Sequence, residues 1–167
     1  MSMLTLSLSR LHALLSYDPE TGFFFWKVSR GRLAKAGQRA GSPNADGYIN
    51  IKIDGRLYRA SRLAWAMHYG CWPEKEIDHI DGNRSRDAIT NLRQATHAEN
   101  GRNRRRPAHN TSGATGVHFK KATKRWFAMI TVDGELKHLG YFSSKKEAMG
   151  ARHAAVGVYY GEFGRYD

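Results

Sequence analysis

One cysteine, Cys71, is the whole thiol complement of this 167-residue chain. That excludes an internal disulfide and a cysteine-built zinc cluster, and a solitary cysteine reads as a small buried hydrophobe. Long apolar runs are missing as well. No stretch approaches the roughly 20 residues that span a bilayer. No long basic helix carries Trp and Leu along one face, as a membrane-surface helix would. Residues 1–15 are mildly apolar, but Arg10 and His12 interrupt them. They have neither a charged leading segment nor a small-residue cleavage site, so they do not read as a secretory signal. The expectation is a cytoplasmic protein with no membrane partner. Acid is the other scarcity: 15 Asp and Glu stand against 27 Lys and Arg, a net charge of +12. A balance this basic calls for a polyanion, and without membrane-binding elements that polyanion is nucleic acid.

With 41% hydrophobic and 25% charged residues the chain is globular rather than disordered, and its length suits one medium domain or two small ones. Leu8, Leu11, Leu14 and Leu15 fall at helical spacing behind Ser7 or Ser9 as a cap. Asp18 to Gly22 is a turn, and Phe23 to Val28 reads as a strand. Residues 29–42 are basic and glycine-punctuated and read as a loop. The alternation Tyr48 to Ile53, then Asp54-Gly55, then Arg56 to Arg59, is a hairpin. Ala60 to Tyr69 is a short helix closed by Gly70.

Glu76 to Ile80 reads as a strand, 81–90 as a polar loop and Asn91 to Ala95 as a second strand. Thr96-His97-Ala98-Glu99 is a capping box. It opens a helix that carries Asn100 and ends near Arg106, because Pro107 disfavours helix in the residue before it. After a polar linker at 108–113, three strands follow: 117–120, 125–132 and 136–142, with Asp133-Gly134 as the turn between the last two. Ser144 to Glu147 looks like another capping box. It starts a helix expected to place Ala148, Ala151, Ala155, Val158 and Tyr159 on its buried face. Phe119 and Phe142 are expected in that core.

The chemistry concentrates in Asp78-His79, followed by Asn91 and Asn100. Taken singly, a His beside an Asp is a surface pair, Asp81-Gly82-Asn83 is a turn, Asn91 starts a strand and Asn100 is a solvated helix residue. Together, on a strand–loop–strand–helix frame, they can cut a phosphodiester. His79 suits a general base. Asp78, its neighbour on a strand, points to the other side of the backbone, so it is better placed to bind a cation than to orient His79. Asn100 offers a second oxygen. An acid plus an amide favours one Mg²⁺, or Mn²⁺ or Ca²⁺ in its place, over Zn²⁺. Asn91, at the loop–strand junction, can clamp the loop backbone.

Residues 76–100 resemble the HNH endonuclease motif, the ββα-metal (His-Me finger) fold, in the HNN variant of phage intron-encoded homing endonucleases. The resemblance implies His79 as general base, Asp78 and Asn100 as metal ligands, and Asn91 as the structural middle residue of the catalytic set. Asn100 stands where many family members have histidine, which puts a zinc or nickel preference in doubt. The pattern over about 110–164, including Gly116-Val117, Arg125-Trp126, Leu139-Gly140-Tyr141-Phe142 and Tyr159-Tyr160-Gly161, resembles the plant ethylene-response-factor DNA-binding domain, whose sheet lies in the major groove.

The resulting expectation is an α+β protein: a basic, DNA-contacting region over 1–71, an HNH motif over 72–107 and an ethylene-response-factor-like domain over 108–167. It would act as a site-specific, metal-dependent homing endonuclease, a monomer on double-stranded DNA in a bacterial host cell, with no small-molecule substrate. The alternatives are a sequence-specific DNA-binding regulator with an inactive nuclease fold, or an RNA-directed or non-specific nuclease. Residues 101–126 hold eight Lys or Arg and no Asp or Glu. The DNA-contact candidates are Arg30, Arg32, Lys35 and Arg39 in the basic loop, Lys52, Arg56 and Arg59 in the hairpin, and Arg102, Arg104 and Arg105 after the motif. In the C-terminal third they are His118, Lys120, Lys124, Arg125, Trp126, Lys137 and His138.

Overall fold

The computed structural model describes residues 6–32, 34–103, 110 and 112–166. The chain divides into two compact units, 1–95 and 96–167. This division falls earlier than the composition break after Pro107, so the capping-box helix goes with the C-terminal unit.

The first unit opens with α1 (Leu8–Leu14), whose cap is Ser7: its Oγ accepts from the Arg10 N–H at 3.2 Å. β1 (Leu15–Tyr17), β2 (Phe24–Trp26) and β3 (Arg39–Ala40) form an antiparallel sheet in that order. β4 (Ser42–Pro43), β5 (Ile49–Ile53) and β6 (Arg56–Arg59) form a second. The stretch read as one loop over 29–42 thus contains β3 and the start of β4. Strands of two residues carry no periodicity and exist only through pairing with β2 and β5. Gly41 makes the corner between them: its φ is +95°, and a Cβ there would sit 2.7 Å from the Ile49 side chain.

The β5–β6 turn has Asp54 at φ 47° and Gly55 at φ 83°, the two positive values a two-residue hairpin favours. Asp54 is also the shared partner of Arg10 and Arg30. α2 (Ala60–Tyr69) ends on Gly70 in the left-handed region. β7 (Glu76–His79) and β8 (Leu92–Ala95) close the unit as an antiparallel pair.

One core serves all of these elements. Leu11, Leu15, Phe24, Ile51, Ile53 and Leu63 are essentially sealed from solvent, and Ile77 and Leu92 tie the β7–β8 pair to them. At about 1.5–3 kcal/mol per buried aliphatic or aromatic side chain, this packing holds the hairpin that bears Asp78 and His79. Cys71, expected to be buried, is exposed just beyond the end of α2.

The second unit begins with α3 (His97–Arg102). Its capping box is complete: Thr96 Oγ1 accepts from Glu99 N–H at 3.3 Å, and Glu99 Oε2 accepts from Thr96 N–H at 2.7 Å. The end expected near Arg106 lies outside the described residues. β9 (Val117–Lys120), β10 (Arg125–Val132) and β11 (Glu135–Phe142) form an antiparallel sheet in the order β11-β10-β9. A register shift falls between Ala128, which pairs with Gly140, and Met129, which pairs with His138.

α4 (Lys145–Tyr160) covers one side of this sheet. Its cap is half of the expected box: Ser144 Oγ accepts from Glu147 N–H, but the Glu147 carboxylate accepts from Ser143 N–H. The buried face of α4 is Ala148, Arg152, Ala155 and Val156. Val158 is 78% exposed and Tyr159 39%, so the expected face was rotated at its C-terminal end. Tyr160 closes the sheet instead, its hydroxyl donating to the Thr131 carbonyl. Phe142 packs on the core as expected, whereas Phe119, at the sheet's end, is 47% exposed. Among the described residues no helix is long and apolar enough to cross a membrane.

Candidate active site

β7 presents Asp78 and His79 on successive, hence opposite, faces of the strand, and both are buried. Asp78 stands directly across from Arg93 of β8. Arg93 Nε donates to Asp78 Oδ2 at 2.9 Å and Nη2 lies 2.8 Å from the same oxygen. The carboxylate proposed as a cation ligand therefore already has a counter-charge.

His79 faces a different acid. Its Nε2 lies 3.0 Å from Asp87 Oδ1, and each side chain is 3% exposed. With Asp87 as carboxylate, Nε2 carries the proton and Nδ1 the lone pair, which makes Nδ1 the basic atom. Burial pushes Asp87 above the ordinary carboxylate range, while the bond to His79 and the charge of Arg39 pull it back. The Tyr48 ring lies 5.8 Å from the His79 ring, centroid to centroid.

The N-terminal sheet props this acid in place. Tyr17 Oη donates to the Asp87 carbonyl at 2.8 Å, and the Ile89 N–H donates to the Pro19 carbonyl at 3.0 Å. Gly22, at φ +78°, lies so close to this segment that a Cβ would sit 2.3 Å from Ala88 N and 2.4 Å from Asp87 C. Burial and the field of Asp87 push the Tyr17 hydroxyl pKa up, so it stays a proton donor.

Asn91 organises the loop between the strands. Its Oδ1 accepts from Asp81 N–H at 3.1 Å, and its Nδ2 donates to Asp81 Oδ1 at 3.0 Å and to the Arg86 carbonyl at 2.8 Å. The amide thus ties the start and the middle of the loop to its end through its oxygen and its Nδ2 group. Burial pushes Asp81 up, but the Asn83 N–H, the Asn91 amide and Arg86 outweigh it and hold the carboxyl below the ordinary range.

Asn100 lies in α3, in the first turns after the Thr96 cap, and is half-buried within the second unit. Among the described residues no group of three His, Cys, Asp or Glu side chains could enclose a metal ion. Asp78 and Asn100, the expected cation ligands, are each oxygen donors, the kind of donor a hard cation takes.

The sequence reading overlooked Asp87, Arg93, Tyr17 and Tyr48. Arg93 had a usable signal, since a hairpin closed by the 80–91 loop sets Asp78 opposite it. Asp87 sits in a polar loop and shows its role only once that loop is folded back.

The expected DNA contacts are scattered. Lys35, Lys52, Arg32 and Arg56 are exposed. Arg30 pairs with Asp54, Arg39 lies over the Phe23 ring at 3.5 Å and Arg59 over the Tyr48 ring at 3.7 Å. Arg104 and Arg105 lie outside the described residues. Arg102 pairs with Asp133 and lies over Tyr160.

On the C-terminal sheet, the face away from α4 carries His118, Phe127, His138 and Tyr141 as a ring cluster, with neighbouring centroids 4.8–5.9 Å apart. Lys120 lies over Tyr141, and Arg125 donates to the Tyr141 carbonyl. Lys124 is exposed at the β9–β10 turn, at φ 51°. Two candidates fall on the other side. Trp126 packs against the core beneath α4, and Lys137, paired with inward Ile130, reaches the Tyr159 ring of α4.

Residues 58–102, which hold Asp78, His79, Asp87, Asn91 and Asn100, match the HNH endonuclease family. Protein 3.8 of Escherichia phage T7 is 44% identical over 84 residues, covering 48% of this chain and 69% of the phage protein. No solved structure matches the chain. With a paired His79 and Asp87 inside the matched segment, the chain belongs to the family of that phage protein and carries an HNH endonuclease domain.

Proposed function

We propose that the chain is a site-specific, metal-dependent DNA endonuclease of the homing type, acting as a monomer on double-stranded DNA in the cytoplasm of a bacterial host. The observation that carries this reading is the buried His79–Asp87 pair next to Asp78, within a chain of net charge +12. The proposal takes β7, β8 and the helix that follows them in sequence as the ββα-metal core that the resemblance implies.

In this reading Asp87 holds His79 with Nδ1 as the basic atom, and Nδ1 takes a proton from water as that water attacks phosphorus in line. Asn91 keeps the 80–91 loop closed around the dyad. Asp78 and Asn100 would hold the cation, and their oxygen donors suit Mg²⁺ first and Mn²⁺ or Ca²⁺ in its place. When bound, the cation supplies the positive charge that offsets the phosphorane and the departing 3′ oxygen. The products would carry 5′-phosphate and 3′-hydroxyl ends. One site per chain would nick one strand of the duplex.

Target choice is assigned to the C-terminal unit. The outward sheet face with His118, Lys120, Arg125 and His138 is the surface offered to DNA, in keeping with the ethylene-response-factor-like pattern. Trp126 and Lys137 contribute from beneath the sheet rather than as base readers. The exposed bases Arg32, Lys35, Lys52, Arg56 and Lys124 would add phosphate contacts, along with Arg104 and Arg105.

The second reading, a DNA-binding regulator with an inactive nuclease fold, has one observation in its favour: Asp78 is already matched by Arg93. Incubation of duplex DNA with the purified chain and Mg²⁺, followed by end mapping, separates the two. Breaks at one locus with 5′-phosphate ends support the endonuclease. Locus-specific binding without any break supports the regulator.

A further inference from the structure

Several arginines of the first unit have carboxylate partners: Arg10 and Arg30 share Asp54, Arg86 pairs with Asp81 and Arg93 with Asp78. Arg59 and Arg84 are different. Both guanidinium groups lie over the same ring, Tyr48, with Cζ 3.7 Å and 4.9 Å from its centroid. Among the described residues neither is in an ion pair. The Arg84 guanidinium makes one hydrogen bond, from Nη1 to the Asp46 carbonyl at 3.1 Å. The ring that gathers them also packs against the His79 ring at 5.8 Å.

Two cations brought to one ring repel each other. The negative face of the ring offsets part of that cost, by about 0.5–1 kcal/mol per exposed cation–π contact. Such contacts use the flat faces of the guanidinium groups and leave N–H edges for an acceptor. An anion bound by both would supply the missing counter-charge, and the fork of an arginine matches the paired oxygens of a phosphodiester. The supports are rigid: Tyr48 leads into β5, Arg59 ends β6 at the start of α2, and Arg84 sits in the loop held by Asn91. All three belong to the same unit as His79.

We propose that Arg59 and Arg84, gathered over Tyr48 beside His79, form a clamp for a backbone phosphate of the DNA at the point of cutting. Arg84 and Tyr48 thereby join the site as positioning residues. Tyr48 pre-arranges the two guanidinium groups, and the clamp places the scissile phosphodiester within reach of the base. This rests on the nuclease reading, which it deepens.

The test reads binding rather than cleavage. The full chain carrying His79→Ala is titrated in EDTA against a fluorescein-labelled 25-base-pair duplex over 50–400 mM salt, alone and with Arg59→Gln, Arg84→Gln, both, or Arg84→Lys. The two glutamines together are expected to lower the slope of log affinity against log salt by about 0.9, one phosphate contact, and each alone by part of that. The double variant should weaken binding ten-fold or more at 100 mM. Arg84→Lys should keep the slope, and Arg10→Gln, which removes a partner of Asp54, should leave it unchanged. Slopes unchanged in both glutamine variants, with thermal unfolding like the parent, would overturn the clamp. Absence of cleavage by the wild-type chain would instead sink the nuclease reading, and the binding slopes stand apart from it.

Discussion

His79 Nε2 and Asp87 Oδ1 are 3.0 Å apart, and each side chain is 3% exposed. The sequence separates them by a polar loop, and the fold returns that loop so that the acid fixes the proton on one ring nitrogen and leaves the other basic. Asp87→Asn should keep the fold and lower kcat about ten-fold or more with little change in KM, since it perturbs the base and not DNA binding. Asp87→Glu should recover part of the loss. Single-turnover cleavage of a labelled duplex measures both.

Asn91 is a structural residue in the catalytic set. Its three hydrogen bonds close the loop, and at about 0.5–1.5 kcal/mol net each their loss costs about 2–4 kcal/mol. Asn91→Ala should lower the urea midpoint accordingly and open the loop to limited proteolysis after Arg84 or Arg86. A variant as stable as the parent would mean that the clamp contributes nothing.

Gly22 links the N-terminal sheet to the dyad. Alanine there faces both a φ of +78° and backbone atoms within 2.4 Å, so Gly22→Ala should cost about 2 kcal/mol or more and displace Asp87. Thermal unfolding reads the first effect, and the cleavage rate of the folded fraction reads the second.

The two loop acids should give stability opposite pH dependences. Asp81 sits below the ordinary carboxylate range. Its contribution is complete above the unfolded value, about pH 4, and is lost as pH falls through the lowered folded value. Asp87 sits above that range. Between its unfolded and folded values the native chain holds a proton that the unfolded chain has released, so its effect on stability falls as pH rises. Urea unfolding at pH 3–7 should show Asp81→Asn flattening the acid side and Asp87→Asn removing the decline on the other side. Profiles identical to wild type would contradict both assignments.

What the sequence made legible was local. Ser7, Asp54-Gly55, Gly70 and Thr96…Glu99 each mark a cap or turn through their own chemistry, and each stands where that chemistry places it. Asp78, His79, Asn91 and Asn100 were visible as a spaced set. Missed features depend on partners distant in sequence. β3 and β4 exist only through pairing, Asp87 acquires its partner when the loop folds, and Arg93 meets Asp78 through strand register. Phe119, Val158 and Tyr159 were misplaced because apolar periodicity does not report where a sheet or its covering helix ends.

The most direct test of the central claim is nicking of supercoiled plasmid by the wild-type chain and by His79→Ala, each with Mg²⁺ and with EDTA. The account predicts relaxed or linear plasmid from the wild type with Mg²⁺ only, and a loss of about 10²–10⁴-fold in rate for His79→Ala. Equal nicking by both proteins, or none by a wild-type chain that binds the same DNA, would contradict it.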